Sequence, residues 1–355
     1  MVHEAGPEPI LEPDLPIVDP HQHLWFQPQR VLAAMQGIED QGADIARLYA
    51  SHARYLFDEF IADATAGHNI RATVLVETHT MYRPAGPQEM RSLGEVEFMN
   101  GMAAMAASGL ITDVKVGCGI VSAVDLRLGA AARDVLEAHL RAGGDRYRGV
   151  RPPGTFFDAN LNVFSQAFGA KPGALKDPKF HAGFKQLAPL KLSCDIYVLE
   201  PQLPDLIDLV RQFPDTQVIL NHAGSPLGIG PYAGTHAERF PIWRDNLREL
   251  AKSPRIAVKL GGLSCPYVGL PCSGRTQVPA RSQDLARDFR PYIETCIEIF
   301  GADRCMFEGN YPVEGVSANY PSIWNAFKRI VGGASRDEKR ALFHDTAARV
   351  YRLAL

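Results

Sequence analysis

Eight short runs of apolar and β-branched residues recur along the chain, each followed by a stretch with helical spacing: Ile17–His21, Ala72–Glu77, Asp113–Ile120, Tyr147–Arg151, Leu192–Val198, Gln217–His222, Ile256–Leu260 and Cys305–Glu308. A strand buried on both faces reads as such a continuous apolar run, and strands separated by helices lie parallel because each helix returns the chain to the same end. The helical patterns fall around Gly42–Ala66, Gly94–Ala107, Arg127–Ala142, Pro178–Ala188, Gln202–Phe213, Ala237–Lys252 and Ala286–Phe300. Tyr320–Val331 and Ser335–Leu353 predict further helices, the last opened by a capping box, Ser335 with Glu338. Eight strands predict closure into an α/β TIM (β/α)8 barrel. An open doubly wound sheet has fewer strands, and its G-x-G-x-x-G signature follows no early strand here.

The 355 residues suit one large barrel domain, expected over residues 17–355 behind an acidic, Pro-rich N-terminal arm at residues 1–16. That arm has neither a basic start nor an apolar stretch, so no secretory signal is expected. No run approaches the ~18–20 apolar residues that cross a bilayer. A formal charge of −3 supplies no basic field for nucleic acid. Six cysteines are sparse for this length, and Cys265 and Cys272 share a loop without C-x-x-C spacing. A reducing cytoplasm and a small-molecule substrate are the expectations. A homo-oligomer is left open.

In such barrels chemistry sits on the loops at the C-terminal ends of the strands. The longest follow strand 4 (Pro152–Asp177), strand 6 (Ala223–His236) and strand 7 (Gly261–Gln283), and loops of this length form lids or substrate walls. His21 and His23 end the first strand two residues apart. Period-two alternation sends both imidazoles to one face and Gln22 to the other. Two such rings can share a metal or polarise one substrate oxygen. His222 ends the sixth strand, so three histidines converge as a metal or oxyanion site. On strand 8, Glu308 and Asn310 share parity. Glu308 can act as a base or a metal ligand, or it can be the structural counter-charge of the mid-strand Lys259. Asn310 cannot titrate but can ligate or hydrogen-bond through its carbonyl oxygen. Glu77, ending strand 2, is either an acid at the mouth or a partner for a loop arginine such as Arg275 or Arg281.

Five motifs occur in barrel order: Asp19-Pro-His-Gln-His-Leu-Trp25, Asn221-His-Ala-Gly-Ser-Pro226, Val258-Lys-Leu-Gly-Gly-Leu263, Glu308-Gly-Asn-Tyr-Pro-Val313 and His344-Asp-Thr-Ala-Ala-Arg-Val-Tyr351. Together they resemble the amidohydrolase-2 group of the amidohydrolase superfamily, nearest its fuconolactonase, rhamnonolactonase and pyrone-dicarboxylate lactonase branch, over roughly Ile17 to Leu353. The resemblance implies an amidohydrolase-type barrel in which His21, His23 and His222 form the catalytic cluster and, where a divalent metal is bound, hold it, with zinc expected. A metal-free mechanism stays open. It also implies that Arg148 or Arg151 of strand 4 binds a carboxylate or carbonyl oxygen and that Trp25 walls the pocket. The family carries aspartate where this chain has Asn310. The general base therefore passes to Glu308 or Glu77, or the hydrolytic step is lost. Three readings follow: a hydrolase of a lactone or related cyclic ester, a metal-dependent decarboxylase of an aromatic or unsaturated acid, and a non-catalytic ligand-binding barrel.

Overall fold

The computed structural model describes residues 8–27, 50, 52–161, 169–274 and 278–355. Eight parallel strands form one sheet in chain order: β1 Pro16–Gln22, β2 Asn69–Val76, β3 Lys115–Ser122, β4 Tyr147–Val150, β5 Ser193–Ile196, β6 Val218–Leu220, β7 Ile256–Leu260 and β8 Cys305–Phe307. The last strand meets the first just beyond its own C-terminus. There the Asn310 amide donates to the His21 carbonyl at 2.8 Å and the His23 amide donates to the Tyr311 carbonyl at 2.9 Å. These two bonds form the seam of a nearly closed barrel, as the eight-strand pattern predicts.

Helices follow the strands: α1 Phe57–Ala64, α2 Leu93–Ala107, α3 Ala132–Gly143, α4 Pro178–Phe184, α5 Leu203–Gln212, α6 His236–Leu250, α7 Ser282–Phe300 and α8 Tyr320–Ile330. Three sequence expectations are corrected. Within the helix anticipated over Gly42–Ala66, Arg54–Tyr55 instead pairs as an antiparallel ribbon with Trp25–Phe26; residues 42–49 and 51 lie outside the described part. The Trp25 indole, donating to the His52 carbonyl at 2.6 Å, fixes that ribbon. Strand 6 ends at Leu220 rather than His222. Asn221 keeps its ladder bond to Ile196, and the chain then turns with His222 at φ 55°. The tail helix breaks into Arg336–Arg340, a wide turn over Ala341–Asp345, and Thr346–Val350, although the Ser335–Glu338 capping box does open it.

Alternation along the strands builds two apolar layers. Val18, Val74, Val76, Val121, Ile219, Ala257 and Met306 fill the barrel interior, closed at the end away from the site by Ala347, Val350 and Tyr351 of the tail. Ile17, Leu75, Ile120, Cys194, Leu220, Val258 and Phe307 face outward and pack beneath the helices. The inward positions one repeat further along the strands are polar: Asp195 on β5, Lys259 on β7 and Glu308 just past β8, all with no exposed surface. Among the described residues, no helix is long and apolar enough to cross a membrane.

Candidate active site

The polar layer begins with a buried lysine. Lys259 Nζ donates to Asp195 Oδ2 at 2.7 Å and lies 3.1 Å from His21 Nδ1. Tyr351 donates to the same Asp195 oxygen at 2.7 Å and the Asn221 amide to it at 3.3 Å. The counter-charge of Lys259 is therefore Asp195 and not Glu308. A charge so deep in the interior needs such a partner, and an acid in the otherwise apolar run Ser193–Ile196 is the sequence signal that identifies it.

Released from that duty, Glu308 faces the histidines. One carboxylate oxygen takes the His222 backbone amide at 3.1 Å and the His222 Nδ1 at 2.8 Å; the other lies 2.7 Å from His21 Nδ1. So tight a cluster requires bare backbone opposite it. A side chain at Gly261 would run into Glu308, and one at Gly262 into the His222 ring. This is the physical content of the Gly-Gly pair after strand 7.

The rings of His21 and His23 do share a face, with their Nε2 atoms 3.1 Å apart. Their protonation follows from their partners. His23 Nδ1 lies 3.0 Å from the Val76 carbonyl, which accepts only from an N–H, so the lone pair sits on Nε2. His21 Nδ1 faces Glu308, and its Nε2 lies 3.1 Å from the Arg151 guanidinium, which can only donate. Lys259, a donor beside the same Nδ1, favours the opposite tautomer, but the shorter carboxylate contact together with the arginine outweighs it. Asn310 Oδ1 stands 3.3 Å from His23 Nε2, because its amide nitrogen donates to Glu314 Oε1 at 3.2 Å. Three electron-pair donors thus converge: His21 Nε2, His23 Nε2 and Asn310 Oδ1. Burial, assisted by Lys259 for His21 and by Arg151 for His23, holds His21 well below the ordinary histidine range and takes His23 down to about 3. Both rings are neutral at physiological pH, as metal ligation requires.

A second grouping, His21, His222 and Glu308, also brings ligand atoms within 4.8 Å of one another. Glu308 is already bonded to His222 and in contact with His21 there, so it serves those rings as a clamp.

Glu77 is bound by Arg151: Nε reaches its carboxylate at 2.5 Å and NH2 reaches its backbone carbonyl at 2.7 Å. Burial acts to raise the pKa of Glu77, but Arg151 prevails and holds it below the ordinary glutamate range. Of its two anticipated partners, Arg281 lies against Glu8 instead, and Arg275 lies outside the described residues. Trp25 stacks 6.0 Å from His23 and is almost fully buried, so its ring packs behind that histidine. Arg148 is not brought to the cluster: its guanidinium turns to the Tyr147 carbonyl, near Cys118 and Arg352.

The loops after β4, β6 and β7 pack on one another through Phe156, Leu161, Leu227, Tyr267 and Val268, and Tyr197 sets its ring edge 5.2 Å from His222. They wall one side of the site. Besides Asp195, the acids Asp19 and Glu314 also lie outside the sequence reading. Asp19 takes the amides of Gly309 and His21 and the Tyr320 hydroxyl, tying β1 to the end of β8; burial lifts it to about 7. Glu314 lies one turn past Asn310, and no spacing rule singles it out.

The chain can now be set beside known proteins. Residues 18–353 match the family model for amidohydrolases. An uncharacterised protein of Sinorhizobium fredii, y4mH, is 32% identical over 341 residues, covering 96% of this chain and 99% of its own length. An L-fucono-1,5-lactonase of Burkholderia multivorans is 32% identical over 183 residues, half of this chain and 57% of that protein. The crystal structure of an amidohydrolase from Burkholderia multivorans with bound zinc superposes with a TM-score of 0.69 at 25% identity, over 95% of this chain and 99% of that one. The motif order, the barrel with its histidines at the strand ends, and the match along nearly the whole length agree: the chain belongs to the amidohydrolase family, in its amidohydrolase-2 group.

Proposed function

We propose that this protein hydrolyses a lactone or related cyclic ester of a small organic acid, and that it does so with a divalent metal, zinc being the first candidate. The observation that carries this reading is the convergence of His21 Nε2, His23 Nε2 and Asn310 Oδ1, separated by 3.1 and 3.3 Å. Ligands about 2.0–2.2 Å from one zinc ion stand at about such separations. His23 Nε2 and Asn310 Oδ1 face one another with no hydrogen between them, and the His21 Nε2 lone pair, which here accepts from Arg151, would turn to the ion in exchange for that contact. These three groups would hold the ion. When bound, it would polarise the ester carbonyl and make water more acidic. The kinship with lactonases supports the choice of ester over other substrates.

The remaining work falls to the chain's own groups. Glu308 and Glu77, the bases anticipated from sequence, are both engaged, the first with His222 and the second with Arg151. His222 keeps its Nδ1 proton on Glu308, which leaves Nε2 as the proton acceptor. It takes a proton from the attacking water as the new C–O bond forms and returns it to the ring oxygen as the lactone C–O bond breaks. Glu308 orients that ring and stabilises its charged form, acting as positioning partner to the base. The Arg151 guanidinium, beside His21 at the mouth, offers its remaining N–H to the carbonyl oxygen or to a substrate carboxylate.

The test is a panel of 1,4- and 1,5-lactones, some bearing a carboxylate, incubated with zinc-loaded protein while acid release is followed. Hydrolysis is expected. His222→Ala and His21→Ala should each lower kcat/KM by ~10²–10⁴-fold with the melting temperature retained. Lactones left intact while carbon dioxide is released from hydroxybenzoic acids would assign the site to decarboxylation instead.

A further inference from the structure

We infer that Glu314 is a positioning residue that sets which end of the Asn310 amide faces the site. This rests on the metal site proposed above, though not on the substrate. Glu314 is 1% exposed. One carboxylate oxygen accepts from the Ser264 backbone amide at 3.2 Å and from the Ser264 hydroxyl. The other accepts from Cys265 Sγ at 3.2 Å and from Asn310 Nδ2 at 3.2 Å. The Ser264 amide on one oxygen and the Asn310 NH2 on the other can only donate, and the hydroxyl and thiol turn to suit, so each Glu314 oxygen serves as an acceptor.

That requirement decides the orientation of Asn310. Left to itself, a carboxamide beside His23 turns its NH2 toward the Nε2 lone pair, because an N–H···N bond is better than two facing acceptors. Such a flip would replace the third electron-pair donor with a hydrogen-bond donor and close the site to cations. Glu314 prevents it, since a flipped amide would set oxygen against oxygen at 3.2 Å. The charge lies one hydrogen bond further from the site than a direct aspartate would, yet the site keeps three acceptors. Asn310 itself sits at φ 45°, a left-handed conformation that asparagine tolerates better than most residues.

A swap tests the pair. In Glu314→Gln the fixed Ser264 amide keeps the side-chain oxygen, so the new NH2 points at Asn310 and flips it. Zinc affinity, read by competition with a chromophoric chelator, should fall ~10–100-fold. In the double variant Asn310→Asp/Glu314→Gln the same NH2 donates to the aspartate, whose second oxygen faces His23, and affinity should return to within about threefold of wild type. A purely structural Glu314, needed only for the Ser264–Cys265 turn, would leave the double variant as weak as the single one. That result overturns the inference, as does wild-type zinc affinity in Glu314→Gln. Should the single variant fail to fold, a crystal structure of zinc-soaked wild-type protein decides. Oδ1 on the metal and Nδ2 on Glu314 supports the inference; an amide turned the other way, or an empty site, refutes it. Restored zinc binding with every lactone left intact would sink the ester reading alone.

Discussion

Lys259 shows how far a single residue reaches. Its ammonium joins Asp195, and through it Tyr351 and Asn221, to the ring of His21, with no surface exposed to water. Removing one partner from such a group leaves the other charge buried and unmatched. Lys259→Met should therefore lower stability to urea by ~3–5 kcal/mol, and Lys259→Met/Asp195→Leu should recover much of that loss. Equal stability of the two variants would argue against the coupling. The sequence made Lys259 conspicuous, because a lysine in the centre of Ile256–Leu260 must be buried. Its partner is not legible, because strand parity places Asp195 and Glu308 on the same inner face and only the packed barrel decides which of them the ammonium reaches. For His21 and His23 parity suffices to put both rings on one face. For Glu314 nothing in the spacing helps, since its approach to Asn310 depends on the turn over Val313–Val316.

At the scale of an element, α2 illustrates a helix that anchors a loop. Glu95, in its first turn, accepts from the amides of Thr78 and Thr80 at 2.8 and 3.0 Å and so holds the chain leaving β2. Burial, reinforced by the neighbouring Glu77, pushes its pKa up to about 8. The folded protein therefore binds this proton more tightly than the unfolded chain does. The resulting stability is complete below the ordinary glutamate range and drains away as pH rises through about 8. Glu95→Gln keeps one acceptor oxygen and cannot ionise, so it should melt about 2–4 °C above wild type at pH 9 and near it at pH 5. Melting curves across pH check this, and parallel curves would refute it. The alternation of elements was legible throughout because apolar runs and helical spacing are local signals. What was not legible came from long-range pairing: the Trp25–Phe26 ribbon claims residues that read as helix, and the break at Ala341–Asp345 follows packing of the tail against β1 and β8.

Across the molecule, the chain's last turn stands behind the site from the opposite end of the barrel. Tyr351 plugs the interior layer of Val18, Ile219, Ala257 and Met306 while its hydroxyl supports Asp195. Tyr351→Ala should cost ~3–5 kcal/mol in urea unfolding, as other buried aromatic truncations do. A loss below ~1 kcal/mol would mean the tail is merely laid against the barrel.

The seam between the first and last strands carries a consequence for biosynthesis. His21 and His23 leave the ribosome near the beginning and Asn310 near the end, and the hydrogen bonds from Asn310 to His21 and from His23 to Tyr311 are what bring them together. On the proposed cation site, a chain cut before residue 310 would lack both the Asn310 oxygen and the seam that seats it, so it should not hold the ion as the closed barrel would.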